Sequence, residues 1–239
     1  MNTHAHTHAH TESIDGLASP AATCSYLYAL LGECFAYPDV DLVENLRSGA
    51  LLAQIQKLCD ALDPALLQGL DAAVFNDPAA SLDALKVEYT RLFDAGAQGT
   101  GCSLNGGLQR GPQMKVMEEA VRFYAHFGLT LTEEQKELPD HLTTQLNFLH
   151  FLAYGEHLLQ TQGESTDAYR LARRDFIARH PGRWLPIMED KLRTMEPMAL
   201  FLSLTELLRR LLALDLAQLQ AQHGEASLKP SGDMPFGGL

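Results

Sequence analysis

Prolines punctuate this chain, and the punctuation leaves it little choice of architecture. Asp63-Pro64, Asp77-Pro78, Gly111-Pro112, Leu138-Pro139, His180-Pro181-Gly182 and Glu196-Pro197 interrupt a pattern of apolar residues that otherwise recurs at three and four. Proline lacks the amide proton an interior helical residue donates, and its ring clashes with the preceding turn, so each pair marks a joint between helices. The period-two alternation of a half-buried strand is absent. The pieces between joints are of medium length, which excludes a long coiled coil. Ser19-Pro20 supplies a cap and first turn for a helix that Tyr37-Pro38 stops, and Asp39 starts the next. Further helices are predicted over residues 50–62, 64–75, 81–94, 112–127, 139–162, 166–180, 182–194 and 197–219. The expected fold is all-α: a single compact multi-helix domain over residues 19–220, with a disordered His-rich arm at 1–18 and a flexible tail at 221–239.

A chain of 239 residues buries a sizeable core without staples. With 18 basic against 30 acidic side chains the formal charge is -12, which argues against nucleic acid or an anionic membrane and favours a basic peptide as partner. The cysteines, Cys24, Cys34, Cys59 and Cys102, form no CxxC pair, so reduced thiols in a cytoplasm are the expectation. The first residues have no basic and apolar regions of a secretory signal, and no apolar run approaches the roughly 20 residues of a membrane span. His4, His6, His8 and His10 alternate with small residues and offer a metal no fixed geometry. No cofactor is expected.

Residues 94–113, DAGAQGTGCSLNGGLQRGPQ, carry six glycines. A phosphate-binding loop needs a preceding strand and either Gly-Lys-Ser/Thr or GxGxxG, and neither is present. The segment reads as a long mobile connection between two helical halves, with a hinge or partner-contact role open and Cys102 as its accessible thiol.

The densest polar constellation is ELPDHLTTQLNFLHFLAYGE, residues 137–156. Leu142, Leu146, Leu149 and Ala153 form one stripe, and Phe148, Phe151 and Leu152 widen it, as in a helix surrounded by others. Pro139 suits a first turn, and the helix dipole favours a carboxylate at Asp140, where a guanidinium can be gripped in two places. The same residues equally read as structure, Asp140 capping the helix and His141 tying two helix ends. Acid–base catalysis by Asp140 and His141 lacks a nucleophile elbow beside it, and HExxH is missing. His150 and His157 read as packing histidines. Tyr89, Leu92 and Phe93 of EYTRLF sit at core spacing with Arg91 reaching solvent. Arg173, Arg174, Arg179, Arg183 and Arg193 read as a solvated basic face, and Trp184 as core or a groove wall.

EYTRLF, ELPDH and RRDFIARHPGRWLP, in that order, resemble the TorD/DmsD/NarJ family of redox-enzyme maturation chaperones. Tyr89, Leu92 and Phe93 match its aromatic-x-x-Leu-Phe pattern. Glu137, Pro139, Asp140 and His141 match Glu-x-Pro-Asp-His, and Phe176, His180, Trp184 and Pro186 look like the segment that follows. GCSLNGGLQRGPQMKVMEEAVRFYAHFGL departs from the shorter Pro-rich loop of many members. It looks more like chaperones that accompany ethylbenzene, dimethylsulfide, selenate and chlorate oxidoreductases. The resemblance implies a TorD-like helical, non-enzymatic chaperone in the cytoplasm. Its partner would be the catalytic subunit of a molybdopterin oxidoreductase, bound through its twin-arginine leader, its mature apo form or both until cofactor insertion permits export. It further implies a client-binding set of Glu137, Pro139, Asp140, His141, Leu142, Gln145 and Tyr89, and a monomer or helix-exchanged homodimer. The opposing readings are a small helical hydrolase built on Asp140 and His141, or a nucleotide-binding protein built on the glycine-rich loop.

Overall fold

Ser19 has extended backbone, and its hydroxyl accepts the Ala22 N–H, so that α1 (Pro20–Cys34) starts on a capped turn with proline in its first position. Asp39 caps α2 (Val40–Ser48) in the same way, and α3 (Ala50–Leu62) follows directly. α4 (Leu82–Phe93), the single turn α5 (Gly106–Gln109) and α6 (Gln113–His126) lead to the long α7 (Leu142–Gln162). α8 (Asp167–Arg179), α9 (Pro181–Thr194) and α10 (Ala199–His223) complete the order. The structure is a computed structural model and describes residues 19–94, 101–130 and 137–228. The His-rich arm and the end of the tail, including Met234, lie outside the described residues. Among the described residues there is no strand, and no helix is long and apolar enough to cross a membrane.

Residues 64–75 are not one helix. Two 3-10 turns, Pro64–Leu67 and Ala72–Phe75, replace it, because the carboxylates of Asp63 and Asp71 accept the N–H groups of Ala65 and Ala73 and close local turns. Gly69, at φ +75°, breaks the path between them. At the other end, α10 continues to His223 rather than stopping at 219.

The core forms around α7, which packs along α1 on one side and against α8 on another. Its stripe of Leu142, Leu146, Leu149, Leu152 and Ala153 is buried as the spacing predicts. Phe148 meets Phe123 of α6 and Phe176 of α8 edge-on at 6.4 and 4.8 Å. His150 and His157 stitch α7 to α1: their Nδ1 atoms lie 2.7 and 2.9 Å from the hydroxyls of Ser25 and Ser19. Tyr89, Leu92 and Phe93 are buried, and the Tyr89 hydroxyl donates to the Phe35 carbonyl at 3.0 Å.

The basic residues near the C-terminus overturn the expectation of a solvated face. Arg173, Arg174 and Arg179 are buried, while Arg183 and Arg193 stay outside. Arg173 lies 2.7 Å from Glu156 and 3.1 Å from Asp215, and the Tyr28 hydroxyl donates to Asp215 at 2.8 Å. Burial pushes the Asp215 carboxyl up, against the pull of Arg173. Arg174 pairs with Asp175 and donates to the carbonyls of His223 and Gly224, fastening the end of α10. Arg91 is half-exposed but braced, bonding Glu88 through two nitrogens and the Met195 carbonyl through a third. His180, at the α8–α9 joint, is wholly buried beside Phe123 and Phe176, with neither ring nitrogen partnered among the described residues. Burial, reinforced by Arg179 and Arg183, pushes its pKa down to about 3.

Candidate functional site: the ELPDH turn

α7 begins at Leu142, three residues later than the proline suggests, because Asp140 is engaged elsewhere. Residues 104–106 run antiparallel to 140–142, with the Gly106 N–H donating to the Asp140 carbonyl at 2.9 Å and the Leu142 N–H to the Leu104 carbonyl at 2.8 Å. The Asp140 carboxylate then accepts the Gly107 N–H at 2.9 Å and the Asn105 side-chain amide at 3.2 Å. Gln145 donates to the same Asp140 carbonyl at 3.3 Å and accepts from the Trp184 indole at 3.2 Å. The Tyr124 hydroxyl donates to the Pro139 carbonyl at 2.7 Å. Asp140 is 0% exposed, and its carboxylate oxygens are turned to the protein's own groups, one to a backbone N–H and one to the Asn105 amide.

Glycine is required where these segments meet. A Cβ on Gly106 would lie 2.6 Å from the Trp184 indole nitrogen, and one on Gly107 would lie 2.6 Å from the Gln113 backbone. The described part of the glycine-rich segment is therefore a close-packed strap, not a mobile connection. Cys102 within it is 0% exposed, its thiol donates to the Met188 carbonyl at 3.3 Å, and burial pushes its pKa up to about 11, so it is not the accessible thiol. Four of the strap's N–H groups are also committed: Cys102 to Leu92, Asn105 to Ser103, and Gly106 and Gly107 to Asp140. They are not left for a phosphate.

His141 is the N-cap of α7. Its Nδ1 accepts the Thr143 N–H at 3.3 Å and lies 2.7 Å from the Thr143 hydroxyl, which places the proton of the neutral ring on Nε2, 3.5 Å from Glu137. Burial pushes its pKa down, against the opposing pull of Glu137, Asp140 and Asp94. Asp140 and His141 thus face different partners and form no acid–base dyad. Tyr89 has its pKa raised, first by burial and then by Glu137, Asp94 and Tyr37.

Of the residues expected to bind a client, Pro139, Asp140, Leu142 and Gln145 make the inner frame, and Tyr89 and His141 form the wall behind it. Glu137 stands outside, its side chain 54% exposed, next to the exposed Leu138. Asp94 is exposed on the same face, as is Tyr37, whose ring meets Tyr89 edge-on at 5.4 Å. Asn105, Gly106, Gly107 and Tyr124 were not singled out from the sequence, although Asn-Gly-Gly is itself a turn signal.

The turn belongs to an all-helical scaffold and has its polar residues spent on shape. A family model described as the nitrate reductase delta subunit matches residues 50–189, and the chain belongs to that family. It is 30% identical to the chlorate reductase assembly chaperone protein of Ideonella dechloratans over 71% of this chain and 76% of that one. The selenate reductase assembly chaperone protein of Thauera selenatis is 35% identical over 64% and 79%, respectively. The perchlorate reductase assembly chaperone protein of Dechloromonas aromatica is 27% identical over 78% and 85%.

Proposed function

We propose that this chain is a dedicated assembly chaperone for the catalytic subunit of a molybdenum-containing reductase or dehydrogenase. It works in the cytoplasm by holding the subunit, and makes or breaks no bond itself. The observation that carries the reading is the family match together with relatives, aligned over most of their length, that are each named for assembling an oxyanion reductase.

The client docks on the outer edge of the ELPDH turn. Glu137 and Asp94 offer carboxylates to a basic segment, Leu138 and Tyr37 offer apolar contact, and the frame of Pro139, Asp140, Leu142 and Gln145 with Tyr89 and His141 holds that edge in place. Accessibility supports this division, since a guanidinium reaches Glu137 freely but reaches Asp140 only if the 104–107 strap is displaced.

The test is recovery of the tagged protein from its own cells, with mass identification and molybdenum analysis of what comes with it. A large catalytic subunit poor in molybdenum is the expected companion. Background proteins alone would reject the reading. Glu137→Gln with Asp94→Asn should lower client recovery at unchanged melting temperature, and undiminished recovery would move the docking edge elsewhere.

A further inference from the structure

We propose that Asn105 is a covalent modification site gated by the strap: its side chain deamidates when residues 104–107 lift from the ELPDH turn, and the acid left behind keeps them from closing again. The inference does not depend on the chaperone reading. Asn105-Gly106 is the one Asn-Gly pair in the chain. In such a pair the glycine nitrogen, shielded by no side chain, attacks the Asn105 side-chain carbonyl carbon. The N–Cγ bond forms, the Cγ–Nδ2 bond breaks, and ammonia leaves with the proton of the Gly106 amide. Water then opens the cyclic imide at either carbonyl, giving aspartate or isoaspartate.

Packing imposes this labile pair. A Cβ on Gly106 would lie 2.6 Å from the Trp184 indole nitrogen, so glycine has to follow Asn105. The Asn105 amide is itself the donor to Asp140 Oδ1, at 3.2 Å, a part that an aspartate cannot play. The closed strap also holds the pair unreactive. At φ −93° and ψ 119° the backbone of Asn105 is extended and turns the Gly106 nitrogen away from the side-chain carbon, whereas ring closure needs the two brought together. The Gly106 N–H is occupied by the Asp140 carbonyl at 2.9 Å, and the Asn105 side-chain oxygen accepts from the Ser103 hydroxyl at 3.3 Å. All of these restraints are released together when the strap opens, so opening sets the rate.

The products cannot resume the closed form. A carboxylate at position 105 places a second anion where Asp140, wholly buried, had a donor. Isoaspartate adds a methylene to the main chain as well. That puts residues 104–106 out of step with 140–142, where the Gly106 and Leu142 N–H groups bond across. The strap thus opens reversibly until Asn105 reacts, and irreversibly afterwards.

The experiment follows the full chain at about pH 8 by peptide mass mapping, in buffer and in urea above the unfolding midpoint. Asn105 should convert in urea, and at least about tenfold more slowly in the native protein. Asp140→Ala, which frees the Asn105 amide and the Gly107 N–H, should raise the native rate severalfold. No conversion in urea would overturn the assignment of the site, and equal native and urea rates would overturn the gating. Asn105→Asp should speed amide exchange at Gly106 and Gly107 about tenfold over Asn105→Ala, which loses the bond without gaining the charge. Equal exchange in the two variants would overturn the lock. Should Asn105→Asp fail to fold, native protein aged to partial conversion replaces it in the same comparison.

Discussion

α7 and α8 are neighbours, both buried, and built on opposite principles. α7 enters the core as hydrocarbon: its leucines and phenylalanines gain free energy simply by leaving water. α8 has six charged residues among thirteen, DAYRLARRDFIAR, and is buried from Leu171 to Ile177. Taking ions from water costs several kcal/mol each, so α8 is tolerable inside only because Glu156 and Asp215 of other helices meet Arg173 and because Arg174 pairs with Asp175 of α8 itself. Burial by transfer accepts many arrangements. Burial by pairing accepts one, because an arginine displaced by a turn finds no carboxylate.

The largest expected effect breaks that pairing. Arg173→Met leaves Glu156 and Asp215 facing each other unscreened, and should cost about 3–5 kcal/mol in urea denaturation. Adding Glu156→Gln and Asp215→Asn to the same chain should restore most of the loss. A cost below about 1 kcal/mol for the single change would show that α8 is held by its apolar residues after all.

Leu149→Ala in α7 is the counterpart, expected at about 3 kcal/mol with no single partner able to rescue it. Next comes the strap: Asp140→Ala should cost about 2 kcal/mol and speed amide exchange at Gly106 and Gly107, whereas Glu137→Gln should stay within about 0.5 kcal/mol. Equal costs for the two would contradict the division into frame and edge.

The smallest effect concerns His180. Its folded pKa, about 3, lies below the roughly 6.5 of an unfolded histidine, so the unfolded chain binds the extra proton first. Its contribution is intact above pH 6.5 and is lost as pH falls toward 3, by about 1 kcal/mol between pH 6.5 and 5.5. His180→Phe should flatten that part of the stability profile, and an unchanged slope would mean the ring is not neutral and buried as described.

Much of the fold was legible because proline acts locally. Pro20 sits in the first turn its position foretold, Pro181 opens α9 at an expected joint, and the stripe of α7 was plain from its spacing. What escaped depends on partners distant in sequence. Arg173 looks like any surface arginine until Glu156 and Asp215 are brought to it from other helices. Asp140 likewise had the composition of a helix-start anion site, and nothing near it in sequence announces that Asn105 and Gly107 will consume its carboxylate. Pro186 inside α9 marks no joint, although it obeys the same chemistry as the prolines that do.

The pairing of α1 with α7 also bears on how the protein is made. These helices are each other's principal neighbours, yet 122 residues separate their starts at Pro20 and Leu142. At elongation speeds of about 5–20 residues per second, α1 waits on the order of ten seconds on the ribosome before the surface it belongs to exists. Through that interval its buried face is uncovered, so the helix that ends in the middle of the core begins as the one longest exposed to water.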